Sequence, residues 1–304
     1  MSEEKKVNLE NKKLLDYSIK ELQEALNIKL GKDNSRVNND ENQLTDSGKE
    51  KINLLYHEEK IEHGNFGDEL SKFIIKRLLN KNKYELVVNE KNIKKNIIGI
   101  GSYLHAAKDD YYIYGTGIRT NPPEEGSIGV KNLNVCAVRG PITYNFLTRD
   151  RNIKCPVIYG DPGLLLKLMY NPKIDHNLNN KIAFVPHKSN YKIYLNDESF
   201  DHNKFLLINP RQYWSKVVDQ MCSCKCVISS SLHGLIISDT YDRPNLMIKE
   251  FDLSEGELKF KDYFISQKRK FFYITKLEQF KEKMLYTEGN KIDLDKLKDA
   301  FPFK

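Results

Sequence analysis

The chain has 304 residues, of which 39% are hydrophobic and 30% charged, and its formal net charge is +7. This balance predicts a folded globular protein and argues against intrinsic disorder. The small positive excess suits anionic small molecules, phosphorylated substrates or an anionic membrane surface, although a codon bias toward Lys, Asn and Ile explains it equally well. No nucleic-acid-binding motif accompanies the positive charge.

The first fifty residues differ in composition from the rest of the chain. Leu15, Ile19, Leu22 and Leu26 form one helical stripe, and the segment 31–50 has the Asn, Asp, Ser and Gly content of a flexible linker. We expect the helix to pack on the protein body, with self-association or membrane contact as alternatives. The start, MSEEKKVNLE, lacks the apolar core of a signal peptide, and no apolar run could span a bilayer. We therefore expect a cytoplasmic protein.

Short apolar runs alternate with helical patterns from residue 52 onward, which predicts α/β layers built on parallel sheets. The first half predicts strands at 52–56, 84–88, 97–100, 111–114, 133–138 and 157–159, with helices after Asn65 and at 141–149. The second half predicts strands at 181–185, 205–208, 226–228 and 245–248, helices at 213–222 and from Leu232, and a terminal helix at 293–301.

We expect this α/β chain to form two Rossmann-like domains that face each other across a cleft. The expected domains are 51–175 and 176–285. A helix and linker would precede them over 1–50, and a helical tail would follow over 286–304.

Residues 227–247, VISSSLHGLIISDTYDRPNLM, form the most informative segment. An apolar run ends in three serines, a helical pattern begins near Leu232, and a second apolar run begins at Asn245. This order predicts a strand, helix and strand of a parallel sheet. Ligands of such sheets bind at the carboxyl ends of strands, where helix N-termini present N–H groups to anions. His233 therefore places an imidazole where an anionic ligand would dock.

Several turn sequences, taken together and in order, resemble those of the polysaccharide pyruvyl transferase family. They are Asn65-Phe-Gly-Asp68, Gly99-Ile-Gly-Ser102, Gly115-Thr-Gly117, Val138-Arg-Gly-Pro-Ile-Thr143, Gly160-Asp-Pro-Gly163, Val185-Pro-His187, Ser229-Ser-Ser-Leu-His-Gly234 and Phe260-Lys-Asp-Tyr263. The resemblance covers roughly residues 52–275. It implies a GT-B-like fold, with residues 51–175 on the acceptor side and 176–285 on the donor side. It also implies transfer of the carboxyvinyl part of phosphoenolpyruvate onto sugar hydroxyls, usually as a pyruvate ketal.

The resemblance and the chemistry of the donor assign roles to particular residues. Ketal formation needs an acid near the donor methylene, a base near the sugar hydroxyl, and cations for the carboxylate and phosphate. We expect catalytic roles for His233, as acid or base, and for Arg139, as the anion-binding guanidinium. The expected donor-binding residues are Ser229, Ser230, Ser231, Gly234, His187 and Arg211. The expected acceptor-binding residues are Asn65, Asp68 and Asp161.

Several of these roles have a purely structural alternative. His233 could bond to a backbone group, and Arg139 could form a structural ion pair. One of the three serines, and equally Asp68, could act as a helix cap. Asp161 could orient a turn.

One position departs from the family pattern. Many members carry Arg immediately before the Leu-His-Gly triplet, where this chain has Ser231, as a subset of bacterial exopolysaccharide enzymes does. If that Arg binds the donor, another cation replaces it here or the donor differs. Arg139 and Arg211 are the expected replacements.

The sequence predicts no metal and no cofactor beyond the donor. Cys222, Cys224 and Cys226 have a spacing unlike that of a zinc knuckle, which favours small buried thiols. The glycines at 99–101 and 115–117 do not form G-x-G-x-x-G, so NAD is not indicated.

The resulting hypothesis is a pyruvyl transferase of surface-polysaccharide assembly. Its expected partners are phosphoenolpyruvate and a sugar or lipid-linked oligosaccharide, with peripheral association at the inner membrane face and a homo-oligomer both compatible. Two alternatives stay open: a GT-B glycosyltransferase that uses a nucleotide sugar, and a sugar-binding protein that has lost catalysis.

Overall fold

The computed structural model describes residues 44–45, 48–58, 64–120, 130–250 and 256–304. They belong to one compact unit, Gln43–Lys304. The predicted stripe at Leu15–Leu26 and most of the predicted linker lie outside the described residues.

The first half of the described chain forms a five-stranded sheet in the order β2-β1-β3-β4-β5, and all of its strand pairs are parallel. The strands are β1 (Glu50–Leu55), β2 (Tyr84–Val88), β3 (Lys95–Ile98), β4 (Tyr112–Tyr114) and β5 (Asn134–Ala137). Side chains that point to opposite faces of β3, Ile97 and Ile98, are both fully buried. The sheet is therefore covered on both faces at its centre, as parallel sheets usually are.

The second half forms another parallel sheet, in the order β10-β9-β8-β6-β7. Its strands are β6 (Ile182–Val185), β7 (Phe205–Leu207), β8 (Cys226–Ser229), β9 (Asn245–Ile248) and β10 (Tyr273–Ile274). Every residue of β6, β8 and β9 is buried, which is why these strands have short, almost continuous apolar sequences. The predicted α/β class is confirmed, and the two parallel sheets are compatible with Rossmann-like layers.

Seven α-helices connect and cover the strands in the part of the chain that the structure describes. They are α1 (Phe66–Leu78), α2 (Pro141–Asn145), α3 (Tyr191–Leu195), α4 (Trp214–Ser223), α5 (Leu232–Thr240), α6 (Leu258–Ser266) and α7 (Leu294–Asp299). Apolar side chains of α1 pack with those of α4 in one buried cluster, including Phe66, Leu70, Trp214 and Val217. This cluster joins the two halves.

The predicted strand at 157–159 is wrong. Only Tyr159 makes a bridge, to Val138, and the N–H of Ile158 bonds to the carbonyl of Pro156 instead of to a neighbouring strand. Prolines at 156 and 162 confine the segment between them, because proline cannot donate to a ladder. The predicted helix at 141–149 ends as an α-helix at Asn145 and continues as one π-helical turn, Phe146–Asp150.

The three clustered cysteines are buried and unpaired, as predicted. Burial raises the pKa of the Cys222 and Cys224 thiols to about 12 and that of Cys226 to about 11. In the described ranges, no set of three or more His, Cys, Asp and Glu side chains is arranged to hold a metal ion. The described helices also include none with the length and apolar character needed to cross a membrane.

Candidate active site

A pocket of about 330 Å³ lies at the carboxyl ends of strands from both sheets, and its volume is typical of small-molecule sites. Its residues follow the adjacent strands β1, β3 and β4 of the first sheet and β6, β8 and β9 of the second. They are His57, Asn65, Asp68, Ile100, Gly101, Ser102, Tyr103, His105, Arg119, His187, Lys188, Ser231, Leu232, His233 and Lys259. We call this cavity the His233 pocket.

His233 lies in the first turn of α5 and is 6% exposed. Its Nε2 makes no hydrogen bond within the described structure and lies 3.9 Å from Oδ2 of Asp161. Burial, followed by the charges of Lys259 and Arg139, lowers the pKa of the imidazole to about 3. The ring is therefore neutral near pH 7, with a buried nitrogen atom beside a carboxyl group.

Asp161 is the fully buried partner of this imidazole. It caps the 3₁₀ helix that follows it: Oδ1 accepts a hydrogen bond from the N–H of Gly163 at 2.8 Å. Oδ2 accepts from the N–H of Gly101 at 3.4 Å. Burial raises the pKa of the carboxyl group to about 6, although the Gly163 hydrogen bond and the Arg139 charge oppose this shift. Asp161 therefore places a buried carboxyl group with a raised pKa next to Nε2 of His233.

Gly67 makes room for the imidazole. A Cβ atom built on Gly67 would lie 2.0 Å from Nδ1 of His233, far inside van der Waals contact. The neighbouring Phe66 ring meets the imidazole edge-on, with ring centroids 6.5 Å apart. The N-terminal turn of α1 thus fixes the position of His233, which explains why glycine follows Asn65-Phe in the sequence.

Five of the predicted site residues line the pocket: Asn65, Asp68, His187, Ser231 and His233. Asn65 also caps α1, with its Oδ1 accepting from the N–H of Gly67. Ser231 occupies the N-cap position of α5, but its side chain makes no capping hydrogen bond. Nδ1 of His187 lies 2.7 Å from the hydroxyl oxygen of Ser189.

Arg139 is fully buried and does not line the pocket. Its Nε donates to Oδ2 of Asp262 at 3.1 Å, Nη1 to the Ser102 hydroxyl at 2.6 Å, and Nη2 to the carbonyl of Ile118 at 2.6 Å. Arg139 therefore forms the structural ion pair that was the alternative to its catalytic role. Its positive charge contributes to the lowered pKa of His233.

Ser229 and Gly234 pack against each other behind the pocket. The Ser229 hydroxyl donates to the carbonyl of Val185 at 2.9 Å and accepts from the N–H of Ser231 at 3.0 Å. A Cβ on Gly234 would lie 2.1 Å from the Ser229 oxygen. These two residues hold the turn that presents Ser231 and His233.

Ser230 and Arg211 also lie outside the pocket lining. The Ser230 hydroxyl binds Oε2 of Glu250 and accepts the backbone N–H of His187 at 2.7 Å. It therefore anchors the loop that carries His187. The backbone N–H of Arg211 bonds to the side chain of Asn209 at the end of β7, two strands away from β8.

Sequence reasoning missed the basic side chains of Arg119 and Lys259, which line the pocket together with Lys188. Lys259 is 7% exposed, so its charge is held close to the pocket and away from bulk water. It directly precedes the Phe260–Tyr263 motif, which was the available signal. Three cations in one pocket favour an anionic ligand.

Two comparisons show which known proteins the chain is similar to. The chain is 26% identical over 206 residues to uncharacterized protein L143 of Acanthamoeba polyphaga mimivirus, an alignment that covers 66% of this chain and 69% of that protein. A family model described as polysaccharide pyruvyl transferase matches residues 65–250, from the cap of α1 to the end of β9. Since the match spans more than half of the chain and includes most of the pocket, this protein belongs to the polysaccharide pyruvyl transferase family.

Proposed function

We propose that the protein transfers the carboxyvinyl group of phosphoenolpyruvate to sugar hydroxyls and forms a pyruvate ketal during surface-polysaccharide assembly. The observation that carries this proposal is the placement of a buried imidazole with an unused Nε2 in a pocket that three cations line. Phosphoenolpyruvate has two anionic groups near a carbon atom that must be protonated. The cations of this pocket can bind the anionic groups, and the imidazole can supply the proton.

The chemistry divides between the imidazole and the cations. Arg119, Lys188 and Lys259 bind the carboxylate and phosphate. His233, once protonated, donates a proton to the donor methylene, which becomes a methyl group while a sugar hydroxyl attacks the adjacent carbon atom. A second hydroxyl of the sugar then attacks the same carbon atom, the bond from this carbon to the phosphate oxygen breaks, and the hydroxyl proton leaves with inorganic phosphate as the ketal closes.

The acceptor lies on the side of the pocket formed by the first sheet. Asn65 and Asp68 are at the N-terminus of α1 and line the pocket opposite the second-sheet residues His187 and Ser231. Asp68 takes the proton of the attacking hydroxyl, since its carboxylate lies on that side of the pocket. The two sheets then act as acceptor and donor halves in a GT-B-like arrangement at the cytoplasmic face of a membrane, with no cofactor.

The direct test is the transfer reaction. Phosphoenolpyruvate and candidate sugars or lipid-linked oligosaccharides are incubated with the protein, and phosphate release and ketal formation are followed by NMR. His233→Gln should abolish transfer while the fold persists, whereas His176→Gln, an exposed histidine, should retain it. Gly67→Ala should also lose at least about 100-fold in rate, because it displaces the imidazole without changing its chemistry. Full activity in folded His233→Gln would exclude the catalytic role.

Ligand binding separates this proposal from a nucleotide-sugar transferase. A ligand that binds only the folded state raises the melting temperature. Phosphoenolpyruvate should therefore raise it more than any nucleotide sugar does. The reverse order would favour the glycosyltransferase, and stabilisation by sugars alone would favour a binding protein without transferase activity.

A further inference from the structure

Lys259 and His233 come from different helices, α6 and α5, yet line the same pocket. Both side chains are more than nine-tenths buried. A cation close to an imidazole, in surroundings with little water, makes protonation of the imidazole unfavourable. The charge of Lys259 therefore connects what the pocket binds with the protonation of His233.

We propose that Lys259 binds the phosphate of the donor and that this contact loads His233 with its catalytic proton. The bound anion cancels the charge of Lys259, and the pair formed by His233 and Asp161 takes up one proton from solvent. The empty enzyme keeps a neutral imidazole, and the acid is formed only when the donor is present. This inference rests on the proposed function for the identity of the donor.

The chemistry of the two most relevant cations favours phosphate at Lys259. A lysine ammonium is a compact point charge and a common phosphate ligand, whereas the planar guanidinium of Arg119 matches a carboxylate with paired hydrogen bonds. Of the charges that lower the pKa of His233, that of Lys259 has the largest effect. An anion at this position would therefore have the largest effect on the imidazole.

The other charged groups around His233 are compatible with this switch. Arg139, which follows β5, forms a buried ion pair with Asp262 of α6, so its charge stays in place when the pocket binds a ligand. Asp161 carries the opposite charge and stabilises an imidazolium ion. The remaining titratable or charged groups that line the pocket are His57, Asp68, Tyr103, His105, Arg119, His187 and Lys188.

The protonation of His233 can be measured directly on the full chain. The chain has seven histidines, and selective labelling with a His233→Gln reference identifies one imidazole by NMR. Without ligand, the His233 signal should remain that of a neutral ring at mildly acidic pH. Phosphoenolpyruvate, and inorganic phosphate as a second probe, should raise the pH at which His233 protonates by about 1–3 units.

Variants of Lys259 test whether this residue couples anion binding to the protonation of His233. Lys259→Gln should weaken the binding of both probes at least about 10-fold. The same variant should raise the protonation pH of His233 in the free protein and reduce its further increase with ligand. Lys259→Arg keeps the positive charge, so it should retain part of the anion affinity and part of the ligand-dependent shift of His233. Lys261→Gln removes the same charge outside the pocket lining and should match the wild type, since Lys261 is a half-buried lysine of α6 that is ion-paired with the N-cap residue Glu257.

Two results would overturn the inference: unchanged anion affinity in folded Lys259→Gln, or a His233 titration that neither probe moves. The proposed function can fail separately. If no acceptor is pyruvylated but phosphate still shifts His233 in a Lys259-dependent manner, the coupling stands and the donor assignment is wrong.

Discussion

At the residue scale, Asp161 and His233 have opposite effects on the pH dependence of stability. The pKa of Asp161 is raised to about 6 by burial, so the folded state gains stability as pH falls from about 6 toward 4. The pKa of His233 is lowered to about 3, so stability that is present above pH 6.5 is lost as pH falls below it. Between pH 6 and 4 the folded state and the unfolded state each carry about one proton on these two side chains. The two effects on stability therefore nearly cancel.

Removing either partner should therefore reveal the effect of the other. Relative to the wild type, the free energy of unfolding of His233→Gln should rise as pH is lowered from 6.5 to 4, and that of Asp161→Asn should fall. Each slope can reach about 1.4 kcal/mol per pH unit. Urea denaturation at several pH values in this window measures both slopes. Parallel curves for the three proteins would show that the pair does not titrate in this way.

The sequence could predict at which strand ends the site lies. It could predict only some of the side chains that line the pocket. His233 and Asp68 lie in the first turns of helices that follow strands, and both line the pocket. Ser229 and Arg139 lie at similar positions, but their side chains point into the protein. Neighbouring residues at a strand end alternate between faces, and tertiary packing decides which one meets the ligand. Lys259 could not be placed, because it approaches from a helix beyond β9.

At the scale of elements, Asp262 on α6 fixes the start of α2. Its Oδ1 accepts the backbone N–H groups of Ile142 and Thr143 at 2.8 and 3.1 Å. Its Oδ2 pairs with Arg139 at 3.1 Å and accepts the hydroxyl of Thr143 at 2.7 Å. A Cβ on Gly140 would lie 2.1 Å from the Asp262 carbonyl oxygen, so glycine is needed for this approach. The Val138–Thr143 and Phe260–Tyr263 motifs thus meet at one buried ion pair.

Breaking this ion pair from one side should be costly, because the other charge stays buried without a partner. We expect Asp262→Ala and Arg139→Met each to lower the free energy of unfolding by about 3–5 kcal/mol, and the double variant to lose less than the sum. Urea denaturation measures all three. The exposed pair of Lys225 and Glu282 is the control, and Glu282→Gln should cost about 1 kcal/mol at most. Single variants no worse than this control would contradict the structural role.

Buried apolar runs identified most strands of both sheets from the sequence, because a strand covered on both faces has a distinctive composition. The two-residue strand β10 and the five-residue helix α3 gave no such signal. Elements this short depend on tertiary contacts instead of local preference.

At the scale of the whole molecule, the segment that follows the second sheet packs on the first sheet. Leu297, Phe301 and Phe303 follow the second sheet in sequence but are buried in the core cluster of the first, together with Ile52. The Tyr114 hydroxyl donates to the carbonyl of Leu297 at 2.9 Å. The sequence predicted a terminal helix, but its packing on the first sheet could not be predicted, because an amphipathic pattern does not specify its partner.

The C-terminal segment should therefore stabilise the first sheet more than the second. Phe301→Ala removes a 3% exposed ring and should lower the free energy of unfolding by about 3–5 kcal/mol. Hydrogen exchange followed by mass spectrometry should show faster exchange in β1, β3 and β4 than in β6 and β8, because local openings follow the contacts that are lost. Phe272→Ala, at a 43% exposed ring, is the matched control and should leave both sheets protected. Unchanged exchange of the first sheet in Phe301→Ala would show that the returning segment does not support it.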